Sequence, residues 1–173
     1  MHRFILALGL TVIAAQAGAQ ARPLPAECCI DSRCSGPDIV ECSSDNPAGC
    51  TNAVVITKDG PSCSAVLPYR LLCVRRQVAG PALLMTWTLT TTDRSNSYDF
   101  SSSGIGIVNP SVGAKEYFIA PKLAWPNRDK FTWTTGPDAT MAPHLSHSAR
   151  VFPKGNPQHC TVAPVAVIVN TDK

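Results

Sequence analysis

The sequence predicts an all-β protein: a disulfide-stapled antiparallel β-sandwich preceded by a loop-rich, cysteine-rich N-terminal segment. Three observations carry this. Seven of the eight cysteines fall at 28, 29, 34, 42, 50, 63 and 73, and the last, Cys160, stands apart near the C-terminus. Downstream of that cluster, short β-branched and aromatic runs are separated by turn signals in a chain with fifteen prolines, the pattern of many short strands. No stretch repeats its apolar residues at helical period over a useful length. An immunoglobulin-like arrangement is one form such a sandwich takes, and a small barrel is the alternative.

Taken in order, residues 1–21 read as a signal peptide. His2-Arg3 precede an apolar run from Phe4 to Ala15, and Ala19-Gln20-Ala21 fits a small-residue cleavage site. The run is short for a membrane anchor, which is the competing reading. Residues 22–52 hold Pro, Ser, Asp, Asn and Gly between cysteines, so they should form loops held by bridges. The sandwich is expected over 53–173.

Its strands announce themselves by alternation. Ala53–Thr57 is a β-branched run closed by the turn Asp59-Gly60-Pro61. Ala65–Val74 is a second run, and Pro68 inside it suggests an edge strand or bulge. In Leu83–Thr92, Met85, Trp87 and Leu89 alternate with Thr86, Thr88 and Thr90, giving one apolar and one hydroxylic face. Tyr98–Phe100 and Ile105–Val108 read as separate short strands around a flexible Ser101-Ser102-Ser103-Gly104 loop. Lys115–Ala120 alternates Tyr117 and Ile119 against Glu116 and Phe118 and should stop at Pro121. Lys130–Thr135 places Phe131 and Trp133 on one face, and Thr161–Asn170 is a Val and Ile run broken by Pro164.

An even number of cysteines in an exported chain reads as a disulfide framework of Cys28, Cys29, Cys34, Cys42, Cys50, Cys63, Cys73 and Cys160. Seven clustered thiols cannot pair only among themselves, so one must reach Cys160. Adjacent Cys28 and Cys29 should take different partners, because a bond between neighbours strains the peptide. The gaps contain no Cys-x-x-Cys, which argues against zinc knuckles and against a thioredoxin-like role.

After loss of the leader the chain would keep 14 basic and 12 acidic residues. That balance is too even to imply nucleic acid, and no second apolar stretch is long enough to span a membrane. The distribution is uneven: residues 22–63 carry three basic and six acidic groups, residues 64–173 eleven and six. The basic part could meet an acidic partner or lie against the acidic part.

Three functional readings follow. The first is an exported binding or interaction module for an extracellular or periplasmic protein or glycan, without a cofactor. Its expected surface is the loop 121–130: Trp125 beside Asn127 and Arg128, where an indole could stack on a sugar or grip a partner, with Lys122 and Lys130 as basic neighbours. Trp87 and Trp133, on apolar strand faces, belong to the core. The second reading is a small secreted hydrolase using His144 or His147, with Asp138 and a serine completing a triad. The third is a periplasmic copper protein with His144, His147 and His159 as ligands, since i, i+3 spacing on a helical turn would bring two rings to one side. The plainer alternative for these histidines is a surface position in a Pro-rich loop. No Gly-x-Ser-x-Gly, His-Glu-x-x-His or phosphate-cradling glycine loop occurs.

Overall fold

The computed structural model describes Leu24, Ala26–Cys29 and residues 32–77, 80–93, 97–108, 118–136, 142–156, 158–162 and 166–172. The expected leader, residues 115–117, Pro164, Asp138 and the side chain of His144 lie outside the described residues. The described chain forms eleven strands in two packed sheets, and its only helical elements are the short 3-10 turns Ala26–Cys28 and Pro47–Cys50.

The first strand, β1 (Ile39–Ser43), lies inside the cysteine-rich segment, which is therefore not loop throughout. The predicted turn at Gly60 (φ +56°) joins β2 (Thr51–Asp59) to β3 (Ser62–Val66) as an antiparallel hairpin. Pro68 marks neither a bulge nor an edge within one strand: the run it interrupts divides into β3 in one sheet and β4 (Leu71–Arg76) in the other. Having crossed, β4 lies parallel to β1, and on the return β5 (Leu84–Thr91) lies parallel to β2.

Tyr98–Val108 is one strand, β6, not two. The expected flexible loop is a register shift within it, between Phe100 and Ile105, where Ser101 is buried. Gly104 adopts φ +26° there, and a Cβ on it would overlap the Phe131 ring, so the serine-glycine run serves a close approach. The next strand, β7 (Phe118–Leu123), runs through Pro121 rather than stopping at it. As the last strand of its sheet, with a register shift between Ile119 and Lys122, β7 has little need of the missing N–H. Its faces are also reversed from the expected ones: Phe118 is in the core and Ile119 faces solvent.

Then follow β8 (Lys130–Thr135) and β9 (Ala142–Pro153), a strand where the plainer alternative for His144 and His147 was a loop. The final Val and Ile run divides, β10 (Thr161–Val162) joining one sheet and β11 (Ala166–Asp172) the other. The sheets have the orders β1-β4-β11-β9-β6 and β10-β3-β2-β5-β8-β7. Among the described residues, four of the nine ladders are parallel. The sandwich is thus mixed, unlike the antiparallel immunoglobulin arrangement. The physical reason is the crossovers: a strand that re-enters after an excursion to the opposite sheet is free to run the same way as its neighbour.

The core lies between the sheets. Val54 and Ile56 from β2, Met85 and Trp87 from β5 and Phe131 from β8 face Leu72, Val74, Phe100, Ile105, Leu145 and Val151. A smaller cluster of Leu71, Cys73 and Cys28, with Leu24 and Ile39 against it, covers the outside of β4. At the β1 margin the Glu41 carbonyl accepts Asn46 Nδ2 at 2.9 Å. Gly49 sits so close to that carbonyl that any Cβ would overlap it.

All eight cysteines are paired: Cys28–Cys73, Cys29–Cys34, Cys42–Cys50 and Cys63–Cys160. The neighbours 28 and 29 take different partners, and one bridge reaches Cys160, as parity requires. That bridge starts in β3, so it ties the body of the sheet, not the N-terminal segment, to the C-terminal part. Its span of 97 residues corresponds to about 4–5 kcal/mol in the chain-entropy treatment.

Candidate functional site

The β7–β8 hairpin places the expected surface in the open. Ala124 N–H donates to the Lys130 carbonyl at 2.9 Å, closing a loop in which Trp125 precedes Pro126 across a cis peptide bond. Trp125 is 83 % exposed, the highest value among the described large apolar side chains. Asn127 is exposed as well, and its carbonyl accepts the Asp129 N–H.

Main-chain hydrogen bonds fix this loop to both sheets. The Arg128 carbonyl accepts Phe100 N–H of β6 at 2.7 Å, and the Asp129 carbonyl accepts Leu89 N–H of β5 at 2.9 Å. Two consecutive carbonyls therefore hold the loop against strands of opposite layers, so its exposed side chains stand on a rigid base. Arg128 itself is half-buried, its guanidinium 5.4 Å from the centre of the Phe152 ring in a cation–π contact. Phe152 in turn meets exposed His159 edge-on at 5.9 Å. Nearby, Lys154 Nζ lies 3.5 Å from Asp99 Oδ1, an ion pair too long to be a hydrogen bond.

Lys122 and Lys130 are both exposed and stand opposite Thr132 and Thr88. Residues directly opposite share a sheet face, so both lysines lie on the outer face of the six-stranded sheet with Thr86, Thr88 and Thr132. The alternate residue Phe131 is buried on the inner face.

His147 and His159 lie in different surroundings. His147 is buried (1 % exposed) on the inner side of β9, where its Nε2 shares a 2.8 Å hydrogen bond with the Tyr69 hydroxyl, whose oxygen accepts Trp87 Nε1–H at 2.9 Å. Burial pushes the Tyr69 phenol well above its ordinary value, against a lowering by the Trp87 hydrogen bond. The expected loop position of His147 is thus replaced by a core position. His144 belongs to the same strand, not to the helical turn on which i, i+3 spacing would have paired the two rings. Among the described residues no group of three His, Cys, Asp or Glu side chains is placed to hold a metal ion.

Sequence reasoning missed Tyr69, Phe152 and the hydrogen-bonded core triad. A signal was present for β9: Leu145, His147, Ala149 and Val151 alternate with Ser146, Ser148 and Arg150, a period of two that a neighbouring pair of histidines obscured. Nothing in the sequence announces that Phe152 lies beneath Arg128.

These features define a class, a disulfide-stapled mixed β-sandwich with a rigid aromatic and cationic hairpin. No family model matches the chain, and no curated protein matches it as a relative. Among the described residues no helix is long and apolar enough to cross a membrane.

Proposed function

We propose that the protein is a binding or interaction module of the secreted or periplasmic space, engaging an extracellular protein or glycan through the β7–β8 hairpin. One observation carries this: Trp125 stands 83 % exposed on a loop fastened through its main chain to both sheets. An indole left in water gives up burial worth roughly 1.5–3 kcal/mol for a large apolar side chain. Held on a rigid loop, it returns that stabilisation when a ligand covers it, with little ordering cost. Four disulfides and no free thiol suit an oxidising compartment.

The test is capture by the immobilised full-length oxidised protein from its native extracellular fluid, with Trp125→Ala as the paired control. A species retained by the wild type and lost with Trp125→Ala supports the reading. Retention that is identical for the two proteins, or no retention at all, overturns it.

A further inference from the structure

We propose that the cleft lined by Arg33 and Arg70, beside the first residues of β1 and β4, binds a single carboxylate, carried by a small organic acid or by the C-terminus of a peptide. This site is separate from the β7–β8 hairpin and does not depend on the binding reading above.

Two disulfides set the cleft up. Cys28 ends the first 3-10 turn and Cys29 follows it, its N–H bonded to the Ala26 carbonyl at 3.1 Å. From there the bonds diverge. Cys28 is joined to Cys73, just beyond Arg70 in β4, and Cys29 to Cys34, the residue after Arg33. The two arginines, far apart in sequence, thereby line one cavity of about 50 Å³ together with the turn 35–39. Roughly 10–15 Å³ of such space already holds a water, so a carboxylate fits. The turn is fixed through its main chain. The Asp38 carbonyl accepts both Arg70 N–H at 2.8 Å and Leu71 N–H at 3.0 Å, and Ile39 N–H donates to the Gly36 carbonyl at 3.2 Å.

Charge decides the ligand. Among the described residues neither guanidinium has a carboxylate within ion-pair distance, Asp38 included. Other exposed arginines share that property; this pair differs because both line the same cavity. Two guanidiniums in one concavity repel each other until an anion lies between them. Asp38 also lines the cavity and is exposed, which leaves one net positive charge. One carboxylate neutralises that charge, whereas a doubly charged sulfate overshoots it beside Asp38. The parallel N–H donors of a guanidinium match the two oxygens of a carboxylate. The Ser35 hydroxyl, on the same wall, supplies a further donor.

The test titrates the full-length oxidised protein at constant ionic strength with acetate, N-acetyl-alanyl-alanine, the carboxamide of that peptide, sulfate and chloride, following amide NMR signals. Saturable shifts at Ser35, Gly36 and Arg70 are expected with acetate and with the peptide acid, and not with the carboxamide or chloride. Tighter binding of the peptide acid than of acetate assigns the site to peptide C-termini; equal or weaker binding assigns it to small organic acids. Arg33→Gln and Arg70→Gln, at exposed positions without a side-chain bond to lose among the described residues, should each weaken binding about 10-fold, the equivalent of one charge-assisted contact. Trp125→Ala should bind as the wild type does, so this site and the hairpin stand or fall separately. The same saturable shifts with chloride or the carboxamide, tighter binding of sulfate than of acetate, wild-type affinity in either arginine variant, weakened binding in Trp125→Ala, or no saturable shift with either carboxylate would each overturn the proposal.

Discussion

Tyr69 and His147, 78 residues apart in sequence, share a 2.8 Å hydrogen bond at the centre of the core. A third residue joins them. Trp87 Nε1–H can only donate, and it donates to the Tyr69 oxygen. Tyr69→Phe removes the oxygen to which both neighbours are bonded, at sites that are 0 % and 1 % exposed. The expected loss is about 2–3 kcal/mol of stability, read as a lower urea midpoint with an unchanged slope.

Alkaline pH should also loosen the fold. Burial raises the Tyr69 phenol above its ordinary 10.0, opposed by the Trp87 hydrogen bond. Tyr98 is raised as well, by burial first and then by the hydrogen bond and charge of Asp93. The folded state therefore keeps protons that the unfolded chain releases. Stability from this source is complete below pH 10.0 and declines as pH rises beyond it. Unfolding free energies measured on either side of that pH should show the decline, with a shallower one in Tyr69→Phe.

The four bridges should differ in worth. Replacing Cys63 and Cys160 together by Ala opens a 97-residue span, and replacing Cys29 and Cys34 opens one of five. The loop-closure relation gives losses of about 4–5 and about 2 kcal/mol respectively. Thermal unfolding of the two double variants should preserve that order.

Gly104 should tolerate no side chain. Its φ of +26° and its contact with the Phe131 ring leave no room for a Cβ. Gly104→Ala is expected to cost about 3 kcal/mol or more, from backbone strain and overpacking together. Ser102→Ala, at an exposed position two residues away, should stay within about 0.5 kcal/mol of wild type.

The sheets were legible in the sequence wherever one face was apolar and the other polar. Met85 and Trp87 against Thr86 and Thr88 located β5 and its inner face, and cysteine parity required a bridge to Cys160. Pairing direction was not legible, because the period of two along β2 and β5 is the same whichever way a neighbour runs. Proline misled twice, at Pro68 and Pro121, since whether it ends, crosses or edges a strand depends on the neighbour it would have bonded. At the site, Trp125, Lys122 and Lys130 were readable as exposed loop and strand positions. The stacking of Arg128 on Phe152 and the hydrogen bond between Tyr69 and His147 join residues distant in sequence, and only the register of the packed sheets brings them together.

The anchoring of the 124–129 loop through the carbonyls of Arg128 and Asp129 has a consequence for how this surface can change. Every residue type carries the same carbonyl, so the anchors survive substitution of the side chains above them. Trp125 and Asn127 can be exchanged without rebuilding the scaffold, which leaves specificity and foldability as separate traits. The hairpin is thus a platform on which new recognition can be written at little risk to the molecule beneath it.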